Sequence, residues 1–261
     1  ETPWGVMTYL EYKWKIEFSV EQYQSLREYT KSLGMDFIVS CWDEESVDDI
    51  EKIRTYLQID SWMVMGGSWG STLAVAYALA YPKVVQAMVL RGIFLAGQSE
   101  LDWLYGPKGA SLLFPEAYDR YYDYIQTHDL VSKEHKGKSN LIPGYYQLLT
   151  HEDLEVQRVA AYEWNYWETS ISQLQPYDIP KYDPNDDSGR ALARIEAHFF
   201  MNNTFLPEKN RHMNYLVDLA QKKLRHTPIS IINGRYDVVC PPITAYTLHK
   251  ALPMSRYIIA H

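Results

Sequence analysis

The chain has 261 residues, of which 46% are hydrophobic and 14% aromatic, and its formal net charge is −8 at pH 7. A chain of this length can bury a substantial core, and no apolar run in it approaches the roughly 20 residues of a membrane-spanning helix. The acidic balance argues against a nucleic-acid or anionic-membrane surface, and the two distant cysteines, Cys41 and Cys240, indicate no disulfide framework. We therefore expect a soluble protein of the reducing cytoplasm.

Helical and strand patterns alternate over the first part of the chain. Ser19 and Gln22 fit a capping box at the start of a helix, and Gly34 can close that helix in a left-handed conformation. In chain order the patterns predict a helix over 19–34, a strand over 37–42, a helix from Ser46 to Leu57, a strand over 62–65, a helix over 71–80 and a strand over 84–90. Strands that alternate with helices are typical of a parallel sheet with right-handed crossovers.

The character of the sequence changes between Phe94 and about Arg225. Long aromatic-rich helical patterns, such as 160–174 and 191–200, replace the short apolar strands, and 177–187 with its prolines is predicted to be a loop. We expect this part to be a helical insertion. The sheet is predicted to resume over 229–234, before a helix over 244–252 and a last strand over 256–260.

One serine lies where a predicted strand turns sharply into a predicted helix, in the run Gly-Gly-Ser-Trp-Gly at 66–70. As a bare pattern this run is weak, and the alternative is an ordinary glycine turn with a solvated serine. Between a strand and a helix it is typical of a nucleophile elbow, in which glycines let the two elements crowd together and present the hydroxyl of Ser68. Asp237 follows the strand 229–234 at the same edge of the sheet and is placed to orient a base, while Trp69 N–H is placed to donate to an oxyanion.

Six blocks of sequence carry a resemblance to a known family: GGSWGSTL (66–73), LRGIF (90–94), ELDW (100–103), WNYWE (164–168), ARIEAHFF (193–200) and GRYDVVCP (234–241). Over about 49–261 the chain resembles the proline iminopeptidases, α/β-hydrolases that release an N-terminal proline from peptides. The resemblance implies Ser68 as the nucleophile and Asp237 as the orienting acid. It also implies a hydrolase core of 49–94 and 226–261, a helical cap of 95–225 over the site, a peptide with N-terminal proline as the partner, and neither a cofactor nor a metal ion.

The resemblance also implies which side chains hold the substrate. In that family two cap glutamates hold the α-amino group, and the matching positions here are Glu168 and Glu196. A buried ammonium needs carboxylate partners, although from pattern alone each glutamate is favoured to be a solvated helix residue in a salt bridge. Phe94, Trp103 and Tyr105 are expected to pack around the proline ring, and the alternative is that they are ordinary core aromatics. Cys240 is expected to line the pocket, and the alternative is a buried small apolar residue.

Two parts of the family pattern are not matched. The family's oxyanion loop, a His-Gly-Gly-Pro-Gly segment after an early strand, has no counterpart here, and neither do the first strands of the hydrolase sheet. The catalytic histidine of the family falls a few residues past His261, so we expect that residue and the other histidines to be structural or solvated. Hydrolysis by the chain as written is therefore expected to be impaired.

The first 48 residues resemble a different family. The blocks TPWGVMTYLEYK (2–13), IEF (16–18) and SCWDEESVD (40–48) resemble the sialic acid synthases, TIM-barrel enzymes that condense phosphoenolpyruvate with N-acetylmannosamine using a divalent metal. None of that family's metal-ligating histidines is covered, so this resemblance implies no site residue. The chain is predicted to be a chimera that joins two families near 48–50, with strand 37–42 either parallel and adjacent to 62–65 or apart from the sheet.

The predicted fold class is α/β: an incomplete α/β-hydrolase parallel sheet with a helical cap insertion, preceded by a helix-strand fragment of TIM-barrel type. The leading functional hypothesis is a serine peptidase of the proline iminopeptidase type, with an esterase of the same fold left open. The alternatives are a catalytically silent hydrolase-like fragment and a sialic acid synthase-related activity. The sequence sets no oligomeric state and indicates neither a nucleic acid nor a membrane as partner.

Overall fold

The computed structural model describes residues 20–34, 44–173, 179, 181–184, 187–206 and 214–261. The chain divides into two compact units, Glu1–Trp62 and Met63–His261. The predicted strand 37–42 and the sequence blocks before residue 20 lie outside the described residues, as does part of the predicted loop 177–187. The pairing of that strand and the predicted domain boundaries stay predictions.

The described part of the first unit contains two helices. α1 runs over Val20–Ser32 and α2 over Glu44–Tyr56, which confirms the two helices predicted from caps and apolar periodicity. Arg27 Nη1 donates to Leu57 O at 3.0 Å and ties α1 to the residue that follows α2. Ile50 and Ile53 on α2 are buried.

A four-stranded sheet, in the order β1-β2-β3-β4, runs through the described residues from Trp62 onward. Its strands are β1 (Trp62–Ser68), β2 (Val85–Ile93), β3 (Ile229–Gly234) and β4 (Ser255–Ala260). β2 and β3 are parallel with Met88 opposite Ile229, and β3 and β4 are parallel with Ile229 opposite Ser255. Parallel neighbours need a crossover connection, and both of these connections contain helix. The α/β class and the resumption of the sheet at 229 are confirmed.

Helices occupy the connections between the strands. α3 (Trp69–Ala80) joins β1 to β2, and a long helical stretch that includes two short 3-10 turns, Ala110–Leu112 and Asn203–Phe205, joins β2 to β3. The helices of that stretch and of the last connection are α4 (Gln98–Tyr105), α5 (Pro115–Thr127), α6 (Ile142–Leu149), α7 (Leu154–Ile171), α8 (Ser188–Met201), α9 (Asn214–Lys223) and α10 (Pro242–Ala251). The helical character predicted between Phe94 and Arg225 is confirmed. None of the helices in the described residues has the length and apolar character that crossing a bilayer requires.

The helical stretch has an aromatic core. Trp164, Trp167, Tyr121 and Tyr145 are fully buried, and the rings of Tyr121 and Tyr145 stack with centroids 4.3 Å apart. Stacked pairs of this kind contribute about 0.5–1.5 kcal/mol beyond the area that they bury. Aromatic side chains from α5, α6 and α7 therefore hold the helices that carry the candidate site.

Gly66 lies where β1 approaches α3 closely. A Cβ atom on Gly66 would lie 2.1 Å from Gly70 O and 2.9 Å from the Ala74 Cβ atom. Because the first contact is with backbone, strand and helix would have to move apart. We expect Gly66→Ala to lower the free energy of unfolding by about 3 kcal/mol or more, measured by denaturant-induced unfolding.

The matched control is Gly70→Ala, in the first turn of α3. A Cβ atom on Gly70 meets nothing within 4 Å, and alanine is favoured over glycine inside a helix by up to about 1 kcal/mol. Gly70→Ala is therefore expected to keep or raise the stability. Similar stabilities for the two variants would contradict the close approach of strand and helix.

Candidate active site

Ser68 is the last residue of β1 and directly precedes α3. Its backbone has φ 54° and ψ −128°, a conformation that costs a non-glycine residue free energy and persists only where the surroundings enforce it. Ser71 Oγ donates to Ser68 O at 2.7 Å and holds the strained residue from the first turn of the helix. The predicted strand, sharp turn and helix are present, with strain on the serine itself.

The segment that follows β2 is tied to the elbow by buried side chains. Phe94 N donates to Ser71 Oγ at 3.0 Å, and Thr72 Oγ1 donates to Phe94 O at 2.6 Å. Ile93 N donates to Asn233 Oδ1 at 3.0 Å. The side chains of Ser71, Thr72 and Asn233 are all buried, so water does not compete for these bonds. The end of β2 is thereby fixed to both α3 and β3.

Glu100 on α4 holds the next part of the same segment. Its carboxylate accepts from Leu95 N at 2.9 Å and from Gly97 N at 2.9 Å, and the side chain is buried. Burial raises the pKa of Glu100 to about 7, against the lowering effect of these amides and of the Thr244 side chain. Sequence reasoning assigns this residue no role, although a glutamate three positions after Gly97 occupies the capping-box position of α4.

Asp237 lies in the turn that follows β3, beside the end of β2. Its Oδ1 accepts from Cys240 N at 2.8 Å, and its Oδ2 lies 3.6 Å from where a Cβ atom of Gly92 would be. Burial raises the pKa of Asp237 above its usual value, while the amides of Cys240 and Val239 and the charge of Arg91 oppose the rise. The carboxylate is thus held at the edge where the parallel strands end.

Cys240 links the serine to the aspartate. Its Sγ lies 4.0 Å from Ser68 Oγ, its amide donates to Asp237, and its carbonyl accepts from Asn233 Nδ2 at 2.9 Å. Burial, together with the nearby Asp237 charge, raises the pKa of the thiol to about 12, so the thiol is neutral near pH 7 and does not compete as a nucleophile. The structure brings these three side chains together, and their catalytic roles stay predictions.

Glu168 on α7 and Glu196 on α8 meet inside the helical stretch. Tyr105 OH donates to Glu168 Oε1 at 2.5 Å, and Trp164 Nε1 donates to Glu196 Oε2 at 3.1 Å. The two carboxyl groups are close enough that the charge of Glu168 acts on Glu196. Both side chains are partly buried, and neither has a lysine or arginine ion-pair partner among the described residues. This geometry differs from that of a solvated, salt-bridged helix glutamate.

The two carboxyl groups hold protons more strongly than a free glutamate does. Burial raises the pKa of Glu168, and burial together with the charge of Glu168 raises the pKa of Glu196 well above its usual value. The bond from Tyr105 stabilises the charged form of Glu168 and partly opposes the rise of its pKa, and the bond from Trp164 does the same for Glu196. The pair therefore takes up a second negative charge at a free-energy cost, which a bound cation would offset.

Aromatic rings connect the carboxyl pair to the elbow. Tyr105 stacks on Trp164 with centroids 4.8 Å apart and lies 5.5 Å from Phe200. Phe94 lies 6.3 Å from Phe200 and 6.4 Å from Trp69, the residue after Ser68. Two of the predicted pocket aromatics, Tyr105 and Phe94, thus belong to a continuous set of rings between the carboxyl groups and Ser68.

Trp103 has a different contact from the other two predicted pocket aromatics. Its indole N–H donates to Val238 O at 2.7 Å, and Val238 lies in the turn that carries Asp237. The bond ties α4 to that turn while the ring packs against the aromatic core. Trp103 therefore supports the position of the aspartate.

The backbone amide of Trp69 and the histidines complete the description of the candidate site. Trp69 N–H is the first amide of α3, where amides lack partners within the helix, so it can donate to an oxyanion. Within the described residues neither Ser68 nor Asp237 is hydrogen-bonded to a histidine. His249 on α10 is the histidine that most closely precedes β4 in the sequence. Its Nδ1 lies 2.7 Å from Ser255 Oγ at the start of β4, so its hydrogen bond is with the sheet and not with Ser68 or Asp237.

Comparison with known families agrees with the fold. The profile of the alpha/beta hydrolase fold matches residues 41–261, and the chain belongs to this family. A second profile, that of the NeuB family, matches residues 1–64, so the two matches overlap across the predicted join near 48–50. Among solved structures, an alpha/beta fold family hydrolase from Bacillus anthracis aligns with a TM-score of 0.45 and 17% identity over 83% of this chain and 65% of that chain.

Several curated relatives are named for one activity. The chain is 38% identical to the proline iminopeptidase of Arabidopsis thaliana over 94% of this chain and 62% of that protein. It is 40% identical to the probable proline iminopeptidase of Leptolyngbya boryana (84% of this chain, 63% of that protein) and 43% identical to the proline iminopeptidase of Xylella fastidiosa strain 9a5c (81% and 63%). The resemblance carried by the six sequence blocks is confirmed, and the chain spans 62–63% of the length of these relatives.

Proposed function

We propose that the chain carries the nucleophile, Ser68, and the amine-binding pair, Glu168 and Glu196, of a serine peptidase that releases N-terminal proline from peptides. The observation that carries the proposal is the pair Glu168 and Glu196, which has no basic ion-pair partner in the described residues and is linked by aromatic rings to the elbow. A cationic group would satisfy both carboxylates, and the ammonium of a peptide N-terminus is such a group. The relatives named proline iminopeptidase support this choice of substrate.

In the proposed reaction the Ser68 oxygen bonds to the prolyl carbonyl carbon, while its proton passes to a general base oriented by Asp237. Among the described residues no histidine is bonded to Ser68 or Asp237 to fill this role. Trp69 N–H stabilises the negative charge that forms on the carbonyl oxygen. The peptide nitrogen takes up that proton and leaves as the new N-terminus of the shortened peptide. Water then hydrolyses the ester, which releases proline and restores the Ser68 hydroxyl. The glutamate pair holds the imino nitrogen, so that the adjoining carbonyl is presented to the serine.

Comparison of a free with a blocked amine tests the proposal. Acetylation of the prolyl nitrogen removes the cation, and removing one partner of a buried charge pair costs about 3–5 kcal/mol. We therefore expect kcat/KM for prolyl-aminocoumarin to exceed that for N-acetylprolyl-aminocoumarin by about 100-fold or more. Equal cleavage of the two would assign the site to an endopeptidase, and faster hydrolysis of a simple acetate ester would assign it to an esterase.

A second candidate is a catalytically silent hydrolase-like chain. It is favoured by the lack of a histidine bonded to Ser68 or Asp237 among the described residues. A fluorophosphonate probe that labels the wild-type protein but not Ser68→Ala would rule out this candidate, because labelling requires an activated hydroxyl. The sialic acid synthase-related activity rests on the match of residues 1–64 alone and stays a prediction.

A further inference from the structure

An exposed apolar strip runs along one side of α8. Its members are Leu192, Ile195 and Phe199, which are spaced by three and four residues and therefore lie on one helix face, and Phe205 just beyond the helix. Leu192 is 49% exposed, Ile195 51% and Phe205 47%, while Phe199 is partly buried. Single exposed apolar residues are ordinary, but a contiguous group marks a surface that binds something.

The α8 strip reaches the candidate active site at one end. The ring of Phe199 meets the ring of Trp69 edge to face, with centroids 5.2 Å apart, and Trp69 directly follows Ser68. Glu196, one of the two proposed amine partners, precedes Phe199 by three residues, so the two side chains are neighbours on the helix surface. The strip therefore begins beside both the amine-binding pair and the nucleophile.

A strained turn just beyond α8 holds Phe205 at the same end of the α8 strip as Phe199. Asn203, Thr204 and Phe205 have φ values of 51°, 55° and 55°, a left-handed conformation that is unfavourable for residues other than glycine. The turn brings the ring of Phe205 to 5.2 Å from that of Phe199, edge to face. Strain of this kind persists where the surroundings enforce it, and it clusters at binding and catalytic sites. The strain thus positions an exposed ring next to the candidate site.

We propose that the α8 strip binds the second residue of the peptide, the one after the scissile bond, and favours apolar side chains there; this inference rests on the proposed function. With the imino nitrogen at Glu196 and the carbonyl at Ser68, the next residue has to continue past Trp69. An extended residue spans about 3.5 Å, and the ring that lies beside Trp69 is that of Phe199, which in turn contacts Phe205. The strip itself contains no charged side chain that would attract a polar residue.

The test compares two substrates with the same scissile bond, prolyl-leucinamide and prolyl-glycinamide. In the wild-type protein we expect kcat/KM to favour the leucine substrate by about tenfold or more, the discrimination that an apolar pocket gives. Phe205→Ala and Ile195→Ser should each reduce this ratio to about threefold or less. The matched control is Leu112→Ala, which removes a side chain that is 70% exposed outside the strip and should leave the ratio unchanged.

The outcomes separate this inference from the proposed function. If the wild-type protein cleaves neither prolyl substrate nor prolyl-aminocoumarin, both proposals fail. If it cleaves them without preferring leucine, or if both strip variants keep the wild-type ratio, only the inference is overturned. A wild-type dimer that Ile195→Ser converts to a monomer, together with an unchanged ratio, would assign the strip to contact between copies of this chain and would also overturn the inference.

Discussion

Ser68→Ala is expected to lower kcat for prolyl-aminocoumarin by roughly 10⁴-fold or more. The alanine has no oxygen to form the acyl-enzyme, and no other nucleophile replaces it, because the neighbouring Cys240 thiol has a pKa of about 12 and is neutral. The glutamate pair and the aromatic rings are untouched, so binding of a prolyl inhibitor should change little. Steady-state kinetics and inhibitor titration measure the two quantities separately.

Ser139→Ala is the matched control, since Ser139 is exposed and lies outside the candidate site. It should behave as the wild-type protein in both measurements. Turnover by Ser68→Ala close to the wild-type rate would exclude Ser68 as the nucleophile. Residual turnover in Ser68→Ala that disappears when Cys240→Ala is added would instead point to Cys240 and contradict its assignment as a neutral thiol.

Glu196→Gln is expected to reduce kcat/KM for free-amine prolyl substrates by about 100-fold, mainly through KM. The amide keeps the shape of the side chain and can still accept from Trp164 Nε1, but it brings no charge to the ammonium. This loss of about 100-fold in kcat/KM is small compared with what breaking a fully buried charge pair costs, because Glu196 is only partly buried. Initial rates over a range of substrate concentration separate KM from kcat.

The same carboxyl pair gives substrate binding a pH dependence. Burial and the charge of Glu168 raise the pKa of Glu196, so Glu196 is neutral at low pH and becomes charged as the pH rises through that raised pKa. Because an ammonium binds the doubly charged pair more tightly, kcat/KM of the wild-type protein should rise with pH through the same window. Glu196→Gln should lack this rise.

Stability changes with pH in the opposite direction. A carboxyl group with a raised pKa keeps a proton that the unfolded chain releases, so the folded state loses stability as the pH rises from the usual glutamate pKa through the raised one. Glu196→Gln removes this loss, and the variant should be at least as stable as the wild-type protein above neutral pH. Weaker cleavage by an equally stable protein separates a binding role from a folding defect.

Glu134→Gln is the control for the charge change, because Glu134 is 77% exposed and belongs neither to the carboxyl pair nor to the rings that connect it to the elbow. Its kcat/KM should stay within about twofold of the wild-type value, as expected for an exposed charge. A wild-type KM for free-amine substrates in Glu196→Gln would show that the carboxyl pair does not bind the amine.

The elbow could be predicted from sequence because its signals are local. Glycines at 66, 67 and 70 flank a serine between an apolar run and helix-favouring residues, and β1 and α3 lie there. β1 runs to Ser68 instead of ending at Met65, since the extended backbone continues through the two glycines up to the strained serine. An apolar pattern alone does not determine where a strand ends beside a glycine-rich turn.

The surroundings of the glutamate pair could not be predicted from residue patterns, because they depend on contacts between distant segments. Trp164 and Glu196 are separated by 32 residues in the chain, and Tyr105 and Glu168 by 63. Within its own helix each glutamate is a charged residue, for which solvent is the favoured environment. The resemblance to the proline iminopeptidases is what singled out these two positions.

Sequence reasoning misses Asn233 for a related reason. Its side chain bonds Ile93, which lies 140 residues earlier, and also the carbonyl of Cys240. The available signal is a polar residue at the end of an apolar strand, and a buried polar side chain there must find partners. That signal does not reveal which backbone groups the partners are, because the parallel neighbour of β3 follows only from the folded sheet.

The backbone amides between 93 and 97 take their partners from three elements: Asn233 on β3, Ser71 on α3 and Glu100 on α4. Each partner is buried, so exchanging any one of them for an apolar residue leaves an amide without a bond and without water. We therefore expect related proteins to tolerate few single substitutions at Ser71, Glu100 and Asn233, although none of these residues is placed against the proposed substrate.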